Sequence, residues 1–355
     1  MAQDIVTLDG GEGEGGGQIL RTALSLSLIT GKALRIVNIR AKRPNPGLRA
    51  QHLECVQAAQ EISNAEVQGA ALGSKEISFF PKTLSPGNYQ FKIETAGATS
   101  LLFQTILVPL SFSEGESTLT LQGGTHALWA PTFDYLSDHF RHFLARIGFS
   151  FDLTLERAGF YPEGGGTVHA KIRPRGTLQP LILSERGELS ASGGLEIASS
   201  VANLPVSIAE RQNRKAQEVL SKEGYRPALS VRELSACGKG THIAIVARFQ
   251  QGGCCYTALG ERGKLAEKVA EEAAQKFIKF VKSAATVDRY LSDQLMLPLS
   301  VVGSASEYST ECITDHILTN AKTIKAFLSV EIDVKGEKGA SGTIVIASSP
   351  SSMRA

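Results

Sequence analysis

The feature that most constrains this chain is that it repeats itself. Apolar spacing gives a strand at Ile5–Leu8, a helix near Gln18–Ile29, a strand at Leu34–Ile39, a helix from about Pro46 to Ile62, and strands at Glu66–Gln68 and Glu76–Phe80. Leu20, Leu24 and Leu28 carry the period of an amphipathic first helix, and Leu53, Val56 and Ile62 that of the second. The same order, β-α-β-α-β-β, returns at Tyr89–Glu94, Ala98–Leu110, Ser117–Gln122, Pro131–Ile147, Phe151–Glu156 and Thr167–Ile172. Each unit has a Gly-rich turn and a proline opening its second helix, a position where proline is tolerated. A third, partial copy is readable from Tyr290: a helix, a strand near Glu307–Cys312, a helix near Ile317–Phe327, and strands at Ser329–Val334 and Gly342–Ile346.

A different pattern separates the second and third copies. Ser184–Gly194 is polar and Gly/Ser-rich, like a linker. A strand (Leu195–Val201), a helix (Val206–Ser221), three strands (Ala228–Leu234, His242–Phe249, Cys254–Ala258) and a charged helix (Lys264–Lys282) follow. The predicted class is α+β: a repeat domain of three units, residues 1–184 and 284–355, with a smaller α+β domain, 185–283, inserted in the third.

Composition narrows the function. Lys and Arg number 37 and Asp and Glu 35, so the net charge of +2 attracts no polyanion globally, and any nucleic-acid contact must be a local basic patch. The five cysteines are odd in number and form no CxxC pair, which fits a reduced, cytoplasmic protein without a structural zinc. The start, MAQDIVTLDG, lacks the basic and apolar regions of a signal peptide. The most apolar stretch, Leu101–Phe112, is broken by Gln104 and Pro109 and is too short to span a bilayer.

The candidate chemistry begins at Asp9–Arg21, a glycine-rich loop between a strand and a helix, which lets a phosphate approach backbone N–H groups at a positive helix end. Gly11, Gly13 and Gly16 spell a formal GxGxxG. The second strand, however, ends at Arg40, where a nicotinamide-dinucleotide site needs an acid, so an oxidoreductase is disfavoured. Glu12 and Glu14 would repel a pyrophosphate unless a cation intervened, which suits a bound Mg²⁺. Arg35, Arg40, Lys42, Arg43 and Arg49 form a basic cluster just before Gln51 and His52. Arginine forks suit phosphate oxygens, and the loops after the first two strands can share one sheet edge. A second glycine triplet stands at Gly164–Gly166, after Arg157-Ala158-Gly159-Phe160-Tyr161-Pro162-Glu163.

None of the seven histidines lies in HExxH, and neither GxSxG nor a Walker loop occurs. His316 stands at a helix start in Thr314-Asp315-His316-Ile317-Leu318-Thr319-Asn320, where a neutral imidazole can be a nucleophile or simply a cap.

Together these blocks resemble the RNA 3′-terminal phosphate cyclases. The matching residues are 9–21, Ile-Arg-Ala-x-Arg-x-x-Pro-Gly-Leu at 39–48, Gly-Gly-Thr at 123–125, Gly-Phe-Tyr-Pro-x-Gly-Gly-Gly at 159–166, Tyr-Leu-x-Asp-Gln at 290–294 and His-x-Leu-Thr-Asn at 316–320. Ala158 departs from the Arg or His that usually precedes Gly159, which puts a role for that side chain in doubt. The resemblance implies units like the C-terminal domain of translation initiation factor 3. It also implies ATP-dependent conversion of an RNA 3′-phosphate to a 2′,3′-cyclic phosphate, with release of AMP and pyrophosphate. His316 matches the AMP-accepting nucleophile; Arg21, Arg40, Arg43 and Gln51 match polar residues of the active site. Gln104, Pro131, Tyr290, Leu291, Ser292, Asp293 and Gln294 match adenylate-binding positions, and Glu14 would hold Mg²⁺ or Mn²⁺. Two other readings stand beside it: a non-catalytic cyclase-like factor in ribosomal RNA processing, disfavoured by His316, and an enolpyruvyl transferase, a class also built from repeats of this unit.

Overall fold

The computed structural model describes residues 5–191 and 193–348; the first four residues of the start read above, and Ser192 of the linker, lie outside them. The first unit is β1 (Ile5–Asp9), α1 (Gln18–Thr30), β2 (Ala33–Val37), α2 (Ala50–Ser63), β3 (Glu66–Gln68) and β4 (Ile77–Phe80). The second is β5 (Asn88–Lys92), α3 (Thr99–Ser111), β6 (Ser117–Gly123), a π-helical stretch at Tyr135–Phe140 running into α4 (Arg141–Ile147), β7 (Phe151–Arg157) and β8 (Gly166–Ile172). Both fold into four-stranded sheets of one order, β1-β2-β4-β3 and β5-β6-β8-β7, with the first pair parallel and the others antiparallel.

The intervening segment is β9 (Leu195–Ala202), α5 (Ser207–Lys222), β10 (Ala228–Glu233), β11 (Gly240–Arg248), β12 (Gly253–Leu259) and α6 (Ala266–Val281). Its sheet, β10-β9-β11-β12, has a separate core in which Ile197, Ile243, Ile245 and Tyr256 meet Val269, Ala273 and Phe277 of α6. The chain closes with α7 (Arg289–Gln294), α8 (Met296–Ser300), β13 (Ser306–Thr310), α9 (Asp315–Phe327), β14 (Val330–Lys335) and β15 (Gly342–Ser348), whose sheet order is β13-β15-β14. That order repeats the last three strands of the earlier sheets. The missing first strand is supplied by Leu181–Leu183: Ile182 bridges Glu307 in parallel, Glu307 N–H donates to the Leu181 carbonyl, and Leu183 N–H donates to the Glu307 carbonyl.

The expected amphipathic α1 is instead buried on nearly every side, against α2, α3 and α9. Its hydroxyl residues fit such a place because their donors find acceptors on α1 itself or on the helices packed against it. Ser25 donates to the Thr105 carbonyl (2.6 Å) and Thr30 to the Leu26 carbonyl (2.7 Å). The prolines expected to open the second helices do not. Helix α2 starts after Arg49, because Gly47 turns at φ +80 and Leu48 N–H donates to the Ser74 carbonyl. After Pro131 the helix begins at Phe133, with Thr132 between them and Leu136 N–H donating to the Thr132 carbonyl. No helix among the described residues is long and apolar enough to cross a membrane.

Candidate active site

The packing of α1 on α9 brings the opening turns of both helices together, although they come from opposite ends of the sequence. Helix α1 begins at Gly17 with no side-chain cap, so its first N–H groups face outward at the positive end of the dipole. His316 stands in the first turn of α9, whose cap is Thr314 accepting from Ile317 N–H.

His316 Nε2 pairs with Glu14 Oε2, and the other oxygen of Glu14 pairs with Arg43. On the far side of the ring, Nδ1 lies 3.9 Å from Asp293 Oδ2. Gln18 locks this arrangement, its amide donating to Asp293 Oδ2 (3.0 Å) and to the His316 carbonyl (3.2 Å). Asn320 donates to the Asp293 carbonyl (3.0 Å) and accepts from Thr22 (2.8 Å). Lys42 reaches the Gly13 carbonyl at 3.3 Å, so the basic loop after β2 does face the glycine loop after β1, as their parallel pairing requires.

The glycines make room for these side chains. A Cβ on Gly13, which has φ +55, would lie 2.2 Å from Thr319 Oγ1. A Cβ on Gly17 would lie 2.2 Å from His52 Nε2 and 2.7 Å from Arg21 Nη1.

The electrostatics follow from burial and pairing. The hydrogen bond from His316 holds the Glu14 carboxyl down at about 2, against the pull of its own burial. Burial by itself disfavours the His316 imidazolium, but the Glu14 hydrogen bond and the nearby Asp293 charge outweigh it, so its pKa is raised. Burial pushes Asp293 up to about 6. Burial lowers the Arg21 guanidinium, with Cys55, Asp293 and Glu14 pulling the other way. It drives His52 down to about 3, helped by Arg21, Arg40 and Arg49, so His52 is a neutral wall of the site.

The remaining expected residues sort by position. Arg40, at φ +53, donates to the carbonyls of Asn45 (2.7 Å) and Gly47 (3.0 Å) and so braces its own loop. Gln51 accepts from Ala98 N–H at the start of α3 (2.8 Å). Gln104 donates to Gln294 Oε1 (2.6 Å), joining α3 to α7. Tyr290 is exposed, whereas the Leu291 and Ser292 side chains are buried, and the Ser292 carbonyl accepts from Tyr308. Those two residues therefore have no side chain to offer a ligand. Pro131 is half-buried two residues after the fully exposed Trp129. Tyr256 is buried and donates to Glu311 (2.8 Å). Ala158 is fully buried at the seam with the four-stranded β10-β9-β11-β12 sheet, its N–H donating to the Ser235 carbonyl (2.7 Å). Gln18 and Asn320, the residues that lock Asp293 and α9, lie within the motifs at 9–21 and 316–320, where their spacing signals no partner.

The family model described as RNA 3′-terminal phosphate cyclase matches residues 12–334. An RNA 3′-terminal phosphate cyclase of Archaeoglobus fulgidus is 41% identical over 334 residues, which is 94% of this chain and 99% of that one. One from Caldivirga maquilingensis is 42% identical over 336 residues (93% and 94%), and one from Ralstonia nicotianae is 43% identical over 338 (95% of each). A solved structure, the enolpyruvyl transferase NikO from Streptomyces tendae, aligns at 10% identity with a TM-score of 0.38, over 99% of this chain and 49% of its own, a likeness too slight to bear on activity. With a family match over nearly its whole length and an imidazole, two carboxylates and an arginine converging at an uncapped helix start, the chain belongs to the RNA 3′-terminal phosphate cyclase family and is an enzyme of that class.

Proposed function

We propose that the chain uses ATP to convert an RNA 3′-phosphate end to a 2′,3′-cyclic phosphate, through a covalent His316–AMP and then an RNA adenylate. The observation that carries this reading is His316 held at the glycine loop between Glu14 and Asp293. A neutral His316 nitrogen attacks the α-phosphorus of ATP; a phosphorus–nitrogen bond forms and pyrophosphate leaves. An oxygen of the RNA 3′-phosphate then attacks the same phosphorus and expels the imidazole. The vicinal 2′-hydroxyl attacks the 3′-phosphorus, the ring closes and AMP departs.

Anionic oxygens approach one another in every step, so the site must supply positive charge. Arg21 and Arg43 border the loop, and the uncapped N-terminus of α1 adds N–H donors. Glu14 is the residue that would hold Mg²⁺ or Mn²⁺. A single carboxylate completed by phosphate oxygens and water is a donor set Mg²⁺ accepts. When bound, the ion neutralises charge on the triphosphate. Gln104 with Gln294, and the exposed Tyr290 ring, are the side chains available to an adenine.

The architecture is part of the same reading. We assign residues 1–184 and 284–355 to a repeat domain of units like the C-terminal domain of translation initiation factor 3, and 185–283 to an inserted domain. The shared sheet order and the separate core of the insert support that division.

Three outcomes are expected. Arg43→Ala should raise the KM for 3′-phosphorylated RNA about 10- to 100-fold, the range for losing one charge-assisted hydrogen bond. Unchanged rates at limiting RNA would count against it. Glu14→Gln should shift the Mg²⁺ or Mn²⁺ concentration needed for half-maximal rate upward, and an identical metal dependence would remove Glu14 as the ligand. The same variant should lower the His316 titration midpoint measured by NMR without nucleotide. The sign follows from the pairing: the folded pKa is raised, so this pair stabilises fully below the ordinary value near 6.5 and is lost as pH rises through the folded value. Self-labelling of the parent should accordingly speed up as pH rises through that midpoint.

A further inference from the structure

Away from the glycine loop, one cluster among the described residues has the makings of a metal site: His126, Asp134 and His242. His126 follows β6, Asp134 precedes the π-helical stretch, and His242 lies in β11, so the cluster sits where the second unit meets the β10-β9-β11-β12 sheet. Both imidazoles are completely buried and the carboxylate nearly so. Asp134 Oδ2 lies 3.1 Å from His126 Nε2 and 3.5 Å from His242 Nδ1. Bonds of about 2.0–2.1 Å around a tetrahedral ion hold ligand atoms roughly 3.3 Å apart, so both distances to Asp134 suit one, and all three ligand atoms lie within 4.8 Å of one another.

Hydrogen bonding alone leaves this cluster incomplete. Neither ring nitrogen of His242 has a hydrogen-bond partner, although the side chain is sealed from solvent. A buried donor and acceptor left open on one ring is costly, and such groups normally find a partner or a ligand. His126 is set up differently. Its Nδ1 lies 2.8 Å from Thr125 Oγ1, a hydroxyl that also accepts from Gly159 N–H at 2.9 Å. With Nδ1–H donated to Thr125, the Nε2 lone pair points at the centre of the cluster, the tautomer a metal-bound histidine needs. Asp134 divides its oxygens: Oδ1 is held by Arg232, which fixes the carboxylate plane, and Oδ2 faces both rings. The Arg232 charge opposes a cation, but its side chain is 39% exposed and solvent screens it.

We propose that His126, Asp134 and His242 bind a zinc-class divalent cation, with water as the fourth ligand, clamping the second unit to the β10-β9-β11-β12 sheet. Two imidazoles and one carboxylate in a closed site suit zinc, whereas a hard ion such as Mg²⁺ calls for a shell of oxygens. The clamp is separate from any ion at Glu14 and does not depend on the reaction assigned to His316.

The test uses the full chain, stripped with a chelator and then titrated with Co²⁺ and Zn²⁺. The parent should take up one equivalent and show the intense visible absorption of tetrahedral Co²⁺ without the near-ultraviolet band that a cysteine thiolate ligand would give. Zn²⁺ should raise its melting temperature. His242→Gln, checked for folding by circular dichroism, should bind Zn²⁺ at least about tenfold more weakly and lose the thermal response, while Glu14→Gln should keep both. If His242→Gln does not fold, the parent Co²⁺ spectrum decides. A parent that shows no Co²⁺ band and no thermal response to Zn²⁺ would overturn the proposal and leave a water-filled polar knot. So would a folded His242→Gln that binds Zn²⁺ as tightly as the parent.

Discussion

Incubated with α-labelled ATP and Mg²⁺, the chain is expected to gain one AMP at His316, seen as acid-labile, base-stable label and as an AMP-sized increase in intact mass. His316→Ala should gain none, and its rate of end cyclisation should fall by at least ~10³-fold, as when other nucleophiles are removed. The expectation rests on placement. Asp293, itself fixed by the Gln18 amide, stands behind the ring, and Glu14 engages the nitrogen that faces the glycine loop. The side chain is 44% exposed, so truncating it should cost little packing, and an unchanged circular dichroism spectrum of the variant would separate lost labelling from unfolding. Equal labelling of parent and variant would remove the nucleophile. A parent that fails to label, with ATP and divalent cation abundant, would favour a non-catalytic role in RNA processing.

The sequence made the repeat and the glycine loop readable because both are local signals. Strand alternation, helical spacing and the triplet Gly15–Gly17 each act over a few residues. What stayed hidden depends on distant contacts. Helix α1 reads as amphipathic because Thr22, Ser25, Ser27 and Thr30 interrupt its leucines, yet their hydroxyls bond to neighbouring groups and the helix is buried. The first strand of the third unit, Leu181–Leu183, is short and lies 125 residues before its partner β13, so periodicity cannot register it. The Gln18–Asp293 contact is likewise invisible until α1 and α9 pack. The reach of Glu14 was partly legible: an acid in a phosphate loop signalled a cation, but its partners in the fold are an imidazole and a guanidinium.

Gly17→Ala should be damaging even though the backbone at Gly17 tolerates a side chain. The backbone there, at φ −83 and ψ −1, accepts alanine without strain, so any effect must come from the added methyl itself. That methyl would fall 2.2 Å from His52 Nε2 and 2.7 Å from Arg21 Nη1, and His52 cannot retreat freely because it is buried and accepts from Arg49 N–H through Nδ1. Overpacking of this kind costs about 1–3 kcal/mol, readable as a lower melting temperature. Moving the Arg21 fork by about an ångström should cost kcat/KM roughly 10²-fold, since phosphoryl transfer relies on positioning. Adding His52→Ala to Gly17→Ala separates the two effects. Removing the imidazole relieves the nearer clash, so the double variant should melt higher than Gly17→Ala alone, a non-additive result typical of touching side chains. Activity should stay low, because the methyl still crowds Arg21. Parent-like melting and turnover in Gly17→Ala would mean that the glycine is not there to seat these two side chains, and the loop would have to be understood through its backbone alone.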